Sequence, residues 1–131
     1  MEPSGYAARP DYRVDILARR NRVTASVGDL VLAASTACLL VDEQDHGLVF
    51  YFPPGDVRLD LFVPDDRTSR CPYKGTATYL RLGGSRPGPE VLAWTYRDPY
   101  PEVARIADHL AFFQDVVELR VGTADPAVSG R

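Results

Sequence analysis

The alternation of apolar and polar residues along most of the chain constrains its fold more than any other feature of the sequence. From Arg22 to Val27 every second residue is apolar, Gly28 and Asp29 supply a turn, and an apolar segment returns over residues 30–34. A period of two is that of a β-strand with one buried face. Two such segments joined by a short turn containing glycine are typical of a β-hairpin. The sequence therefore predicts a mainly β fold.

Similar segments recur along the chain and predict further strands. Besides the first hairpin, strands are expected over residues 13–17, 37–41, 48–52, 56–62, 76–82, 91–96 and 116–121. Pro53 and Pro54 interrupt the pattern before residue 56, because proline cannot donate a hydrogen bond to a strand ladder. Residues 64–70 are polar and predict a loop.

A single short α-helix is predicted near the C-terminus. Residues 98–102 combine acids with prolines, as helix starts do, and the helix should end near His109 or Leu110. A chain of 131 residues suffices for one domain. Residues 1–11 and 123–131 lack periodicity and predict flexible tails around a single domain at 12–122. The expected fold is a small curled sheet or open β-barrel with this one helix.

Composition and charge exclude several function classes. A formal net charge of −3 argues against nonspecific nucleic-acid binding, which needs a basic surface. No segment approaches the roughly 20 apolar residues of a membrane span, and the first residues do not resemble a signal peptide. We therefore expect a cytoplasmic protein without a membrane partner. Cys38 and Cys71, with His46 and His109, show no metal-ligand spacing, so no metal or cofactor is predicted. Cys38 lies in an apolar strand and is expected in the core.

The segment Cys-Pro-Tyr-Lys-Gly at residues 71–75 holds the candidate catalytic residues. Lys74 is the single lysine among 15 basic residues, and it follows Cys71 closely. A cation beside a thiol favours the thiolate, which is the nucleophilic form. In the alternative interpretation Cys71 is a small buried apolar residue. For Lys74 the alternatives are anion binding, an ion pair with Asp56 or Asp60, which we favour over catalysis, and imine chemistry with a carbonyl substrate.

Charged and aromatic residues elsewhere are candidates for ligand binding. Arg58 and Asp60 share a face with Asp56 on the strand expected at 56–62, where they either line a polar pocket or form a solvated face. Trp94 and Tyr96 share a face of another strand and form either an aromatic wall or part of the core. The full set of candidate ligand-binding residues is Tyr51, Arg58, Asp60, Tyr73, Gly75, Trp94 and Tyr96.

Four motifs in a fixed order carry a resemblance to a known family. They are Tyr51-Phe52-Pro53-x-x-Asp56-Val57-Arg58-x-Asp60-Leu61, Cys71-Pro72-Tyr73-Lys74-Gly75-x-Ala77-x-Tyr79, Ala93-Trp94-x-Tyr96, and Pro99-x-Pro101-Glu102-Val103 followed by Ile106-Ala107 and Ala111-Phe112-Phe113. Together they resemble the bacterial family called domain of unknown function 427, over roughly Arg13 to Gly122. The resemblance implies a compact, mainly β fold. Some family names carry a nucleotidyltransferase-like label, but Gly83 and Gly84 lie in a predicted hairpin loop and form no phosphate loop.

Three functional hypotheses follow from these residues. In the first, the domain binds a small polar, anionic or planar ligand in a pocket near residues 71–75. In the second, it is a small-molecule enzyme that uses Cys71 or Lys74 as a nucleophile, which requires a reactive thiol or amine. In the third, it is a protein-interaction module that forms a homodimer through an exposed edge strand.

Overall fold

The computed structural model describes residues 3–83 and 90–124 and confirms a mainly β architecture. Ten strands within these residues form three antiparallel sheets, and none of the sheets closes into a barrel. The strands are β1 (Val14–Ala18), β2 (Asn21–Val27), β3 (Leu30–Ser35), β4 (Leu39–Glu43), β5 (Gly47–Tyr51), β6 (Phe62–Cys71), β7 (Gly75–Leu82), β8 (Val91–Tyr96), β9 (Leu110–Phe112) and β10 (Glu118–Ala124). Most of the expected loop at 83–89, and residues 125–131 of the expected C-terminal tail, lie outside the described residues.

The three sheets have the strand orders β1-β4-β5, β10-β2-β3 and β6-β7-β8-β9. The hairpin of β2 and β3 is confirmed: Val27 pairs with Leu30, and Gly28 has a φ of +57°, as a tight turn between strands requires. A single bridge between Phe52 and Leu110 joins the end of β5 to β9. This bridge ties the first sheet to the β9 edge of the four-stranded sheet.

The strand predicted over residues 56–62 is wrong. This segment forms two 3-10 turns, Pro54–Asp56 and Leu59–Leu61. The two prolines before Asp56 cannot donate to a ladder, and the next amides bond locally, from Asp56 N to Pro53 O and from Leu61 N to Arg58 O. Charged residues 56, 58 and 60 therefore do not share a strand face.

The loop predicted over residues 64–70 is also wrong, because these residues belong to the long strand β6. β6 is the edge strand of its sheet and pairs only with β7 in the described structure. An edge strand exposes much of its surface to water, so its polar composition carries no period of two. An edge also tolerates Pro64, whose missing N–H breaks no ladder between strands.

The helix expected near the C-terminus is present but takes the 3-10 form. It spans Pro101–Ile106 and is interrupted at Val103, where φ is −125°. Asp108 has a φ of +61°, which turns the chain into β9, a strand that the sequence did not predict. Within the described residues no helix has the length and apolar character needed to span a bilayer.

Two hydrophobic clusters lie on either side of the four-stranded sheet. The first includes Val23, Phe52 and Phe112 and contains Cys38, which is fully buried as predicted. Burial raises the pKa of the Cys38 thiol to about 11. The second cluster is formed by β4, β5, β7, β8, β9 and the 3-10 helix, and the candidate site lies at its polar end.

Candidate functional site

A cavity of about 300 Å³ lies between the β1-β4-β5 sheet and the four-stranded sheet. Its walls come from alternate residues of β4 and β5 on one side and of β7 and β8 on the other. The register explains this arrangement, since Tyr79 lies opposite Trp94 and Ala77 lies opposite Tyr96. Directly opposed residues of antiparallel strands project from the same face of the sheet. The cavity is therefore a product of the period-two pattern seen in the sequence.

A buried ion pair between Glu43 and Lys74 forms the polar end of the cavity. Lys74 Nζ donates to Glu43 Oε1, and each residue is only 8% exposed. The hydroxyl of Tyr12 donates to Glu43 Oε2 at 2.5 Å. Burial raises the pKa of the Glu43 carboxyl, but the hydrogen bonds from Lys74 and Tyr12 outweigh it, and the net shift is downward. Glu43 therefore stays ionised and neutralises the charge of Lys74.

The turn between β6 and β7 fixes the position of Lys74. Cys71 pairs with Gly75 across this turn, and Gly75 has a φ of +123°. A Cβ atom at Gly75 would lie 3.3 Å from the carbonyl oxygen of Asp98. Tyr100 N donates to the Lys74 carbonyl at 3.0 Å. The close approach of these backbones requires glycine at position 75 and directs the lysine side chain inward.

Cys71 lies beside the ion pair rather than in the cavity wall. It is half-buried, its Sγ is 3.8 Å from Lys74 Nζ, and it does not line the cavity. His46 is exposed at the cavity mouth, with Nε2 3.9 Å from Glu43 Oε2, while His109 Nδ1 contacts the carbonyl of Ala107. In the described structure neither histidine hydrogen-bonds to Cys71, so the structure places no imidazole base at this thiol.

Aromatic side chains form the rest of the cavity. Trp94 Nε1 donates to the Tyr51 hydroxyl at 3.2 Å, and the Trp94 and Phe113 ring centroids are 4.6 Å apart. Tyr96 is 6% exposed, and no residue of the described chain hydrogen-bonds to its hydroxyl. Burial raises the pKa of both Tyr51 and Tyr96, so both hydroxyls stay protonated. The Tyr96 hydroxyl is a donor without a protein partner at the cavity.

Four of the predicted ligand-binding residues do not line the cavity: Arg58, Asp60, Tyr73 and Gly75. Arg58 and Asp60 are exposed, bind each other at 3.1 Å, and do not line the cavity. Asp56 accepts a hydrogen bond from Ser35 Oγ at 2.6 Å. The expected pairing of Lys74 with Asp56 or Asp60 is therefore wrong, because the turns at residues 54–61 carry both acids away from the 71–75 turn.

The N-terminal segment packs against the 71–75 turn. Gly5 N donates to the Pro72 carbonyl at 2.7 Å. The ring of Tyr73 is stacked on Tyr12, with centroids 3.6 Å apart, and meets the edge of Tyr6 at 5.2 Å. Tyr73 therefore contacts this segment instead of the cavity. The tyrosines in an otherwise polar segment were the available signal that residues 3–12 pack on the domain.

Glu43, Tyr79 and Phe113 are site residues that the sequence did not identify. Tyr79 and Phe113 lie in the recognised motifs, but nothing in their spacing separates a cavity wall from a core. Glu43 ends β4 beside another acid and has no local signal. No group of three or more His, Cys, Asp or Glu side chains suited to a metal ion occurs in residues 3–83 and 90–124.

A comparison with known protein families matches the part of the chain that contains most of the site residues. The model of a family described as a domain of unknown function (DUF427) matches residues 15–123, which confirms the resemblance carried by the four motifs. The matched region contains Glu43, Lys74 and the aromatic walls, and it begins after Tyr12. A search of curated proteins finds no match to the chain.

Proposed function

The chain belongs to the family described as a domain of unknown function (DUF427), and we propose that it binds a small, uncharged, planar molecule in the cavity between its sheets. The observation that carries the proposal is the unpartnered Tyr96 hydroxyl in an aromatic cavity that an ion pair closes. Binding sites for small molecules are mostly apolar, with a few convergent polar groups.

The ion pair argues that the ligand carries no net charge. Glu43 neutralises Lys74 within the protein, so an anionic ligand would have to compete with a carboxylate that is already in place. A cationic ligand would meet the same lysine. The anionic ligand considered from the sequence would use Arg58, which lies outside the cavity, or Lys74, which Glu43 already neutralises. An uncharged ligand leaves the buried pair intact.

The size and donors of the cavity further define the ligand. A volume of about 300 Å³ is at the lower end of the range for small-molecule sites and suits one substituted ring. The hydroxyls of Tyr51 and Tyr96 are donors, so a carbonyl oxygen is the matching group on the ligand. Both cysteines are free thiols, which agrees with a cytoplasmic location for this activity.

Benzamide is a suitable probe, because it is planar, uncharged and carries a carbonyl. Trp94 is the sole tryptophan, so a ¹H–¹⁵N spectrum contains one indole N–H signal, and that group donates to Tyr51 at the cavity. We expect this signal to shift on titration with benzamide and to shift far less with benzoate or benzylammonium. An unchanged indole signal with benzamide would refute the proposal, and stronger binding of either ion would refute the charge argument.

A pair of tyrosine variants locates the binding group. Tyr96→Phe removes the unpartnered hydroxyl and should weaken benzamide binding by roughly fivefold, the value of one net hydrogen bond. Tyr100→Phe is the matched control, because Tyr100 is a buried tyrosine that does not line the cavity. Equal effects of the two substitutions would contradict a role for the Tyr96 hydroxyl in binding.

A second candidate function is nucleophilic catalysis by Cys71 or Lys74. The observation that favours it is the 3.8 Å distance from Lys74 Nζ to Cys71 Sγ, within contact of a cationic group. This hypothesis predicts that Cys71 is alkylated by iodoacetamide at neutral pH in the folded protein and more slowly in Lys74→Ala. Alkylation only after denaturation would exclude the thiol as nucleophile.

Homodimerisation through an exposed edge strand is the third candidate. β1 is an edge of its sheet, and Leu17 on β1 is 48% exposed. Sedimentation analysis over a range of protein concentrations distinguishes a dimer from a monomer, and Leu17→Lys should dissociate a dimer formed by this edge.

A further inference from the structure

A second cavity, of about 370 Å³, shares two wall residues with the first. Both cavities are lined by Tyr79 and Phe113. The second cavity continues to Val91 on β8 and to Thr68 and Ser69 on β6. The two cavities therefore meet at a pair of aromatic side chains.

The strand register shows that both cavities lie along one face of the four-stranded sheet. Ser69 lies directly opposite Ala77 on β7, and Ala77 lies opposite Tyr96 on β8. Opposed residues share a face, so Ser69 of the second cavity and Tyr96 of the first project from the same side. The register of β6 against β7 shifts between Pro64 and Thr68. Such a bulge bends the strand and opens space beside it.

Tyr79 stands between the two cavities in a defined orientation. Its hydroxyl lies 2.5 Å from Ser69 Oγ, and its ring is stacked on Phe113 with centroids 6.1 Å apart. A hydrogen bond at one end and a ring contact along its side hold the phenol in place. Tyr79 therefore lines both cavities in one fixed orientation.

We infer that the natural ligand has two parts, a planar group with a carbonyl in the first cavity and an uncharged apolar arm in the second. This inference rests on the proposed function and names the ligand class more closely. The second cavity offers Val91, Phe113 and the Tyr79 ring to an apolar group, with the Ser69 hydroxyl at its rim. Arg67 also lines it, but its guanidinium is bound to Asp65 at 2.8 Å, so the arm needs no charge.

The test compares benzamide with 4-phenylbenzamide, which adds one apolar ring. Burial of a second ring should tighten binding by at least about tenfold. Both compounds should shift the Trp94 indole signal, while only the two-ring compound should shift the backbone amides of Thr68 and Ser69. If benzamide binds and the second ring gives no gain, the inference fails and the proposed function stands. If neither compound shifts the indole signal, both fail.

A bulky residue in the second cavity provides the decisive variant. Val91→Trp should abolish the gain from the second ring and leave benzamide binding unchanged, because Val91 does not line the first cavity. Val121→Trp is the matched control, since Val121 is a half-exposed strand valine outside both cavities. Val91→Phe, a smaller replacement at the same position, gives the same test should Val91→Trp fail to fold. A gain that persists in a folded variant would overturn the inference.

Discussion

Replacement of Lys74 by methionine tests how the buried ion pair holds the site together. Methionine keeps the length of the side chain and removes its charge. The substitution leaves the Glu43 carboxylate 8% exposed, with the Tyr12 hydroxyl as the remaining donor among the hydrogen bonds described. Loss of one partner of a buried pair typically costs about 3–5 kcal/mol, because the other charge remains in a poorly solvated position. We expect Lys74→Met to lower the free energy of unfolding by about this amount.

The contribution of Glu43 to the free energy of unfolding should change with pH in opposite directions in Lys74→Met and in the native protein. In the native protein the pKa of Glu43 lies below its usual value, so the stabilisation by the pair is present above the unfolded pKa and is lost as pH falls through the folded pKa. In Lys74→Met, burial dominates and should raise the folded pKa above the unfolded value. The folded variant then binds the extra proton. Its stability relative to the native protein should therefore increase as pH falls from 7 to 5.

Urea unfolding at several pH values measures both effects, and a double variant isolates the pair. Glu43→Gln with Lys74→Met removes both charges and keeps an acceptor for Tyr12, so it should recover most of the lost stability and show no pH-dependent difference from the native protein near pH 5–7. A cost below about 1 kcal/mol for Lys74→Met, with an unchanged pH profile, would refute the reasoning. The pair would then behave as a solvated surface ion pair.

Three further predictions concern the turns, the N-terminal segment and the core. Gly75→Ala should lower the free energy of unfolding by about 1–3 kcal/mol, because φ is +123° and the new Cβ meets Asp98 O at 3.3 Å. Gly28→Ala is the control and should cost less, because φ is +57° and the space around it is open. Equal losses of stability in urea unfolding would contradict this prediction. Tyr12→Phe removes a 2.5 Å hydrogen bond to a carboxylate and should lower stability by about 1.5–3 kcal/mol in urea unfolding, whereas a neutral result would show that the N-terminal contact is dispensable. Cys38, whose pKa is raised to about 11 by burial, should not react with a thiol reagent at pH 8 until the protein unfolds, and fast native labelling would disprove its burial.

The sequence predicted the parts of the fold that depend on local pattern. The first hairpin and the strand at 91–96 follow from alternation and turn residues, and both are present. The strand predicted from alternation at 56–62 is absent, because two prolines precede it and its backbone amides bond locally within turns instead of to a neighbouring strand. β6 has no clear period because it is an exposed edge, and β9 is too short for a pattern to show. These elements are decided by tertiary pairing rather than by their own residues.

Some contacts of the site could be predicted from neighbouring residues in the sequence, whereas others depend on residues far apart in the chain. Trp94 and Tyr96 share the cavity wall because they are two residues apart on one strand, which the sequence shows directly. The partner of Lys74 is 31 positions away on β4, and no local rule selects Glu43 over Asp56 or Asp60. That choice is made when the first sheet docks on the four-stranded sheet.

The identity of the single lysine follows from the geometry of its burial. An ammonium has three donors: Glu43 Oε1 accepts one, Cys71 Sγ lies near Nζ at 3.8 Å, and the side chain lines the cavity. A guanidinium has five donors in a rigid plane, and the second oxygen of Glu43 already accepts from Tyr12. Arginine at position 74 would leave buried N–H groups unpaired, at a cost of about 1–3 kcal/mol for each group. The lysine that stood out in an arginine-rich sequence is therefore explained by a compact, buried charge that a carboxylate neutralises.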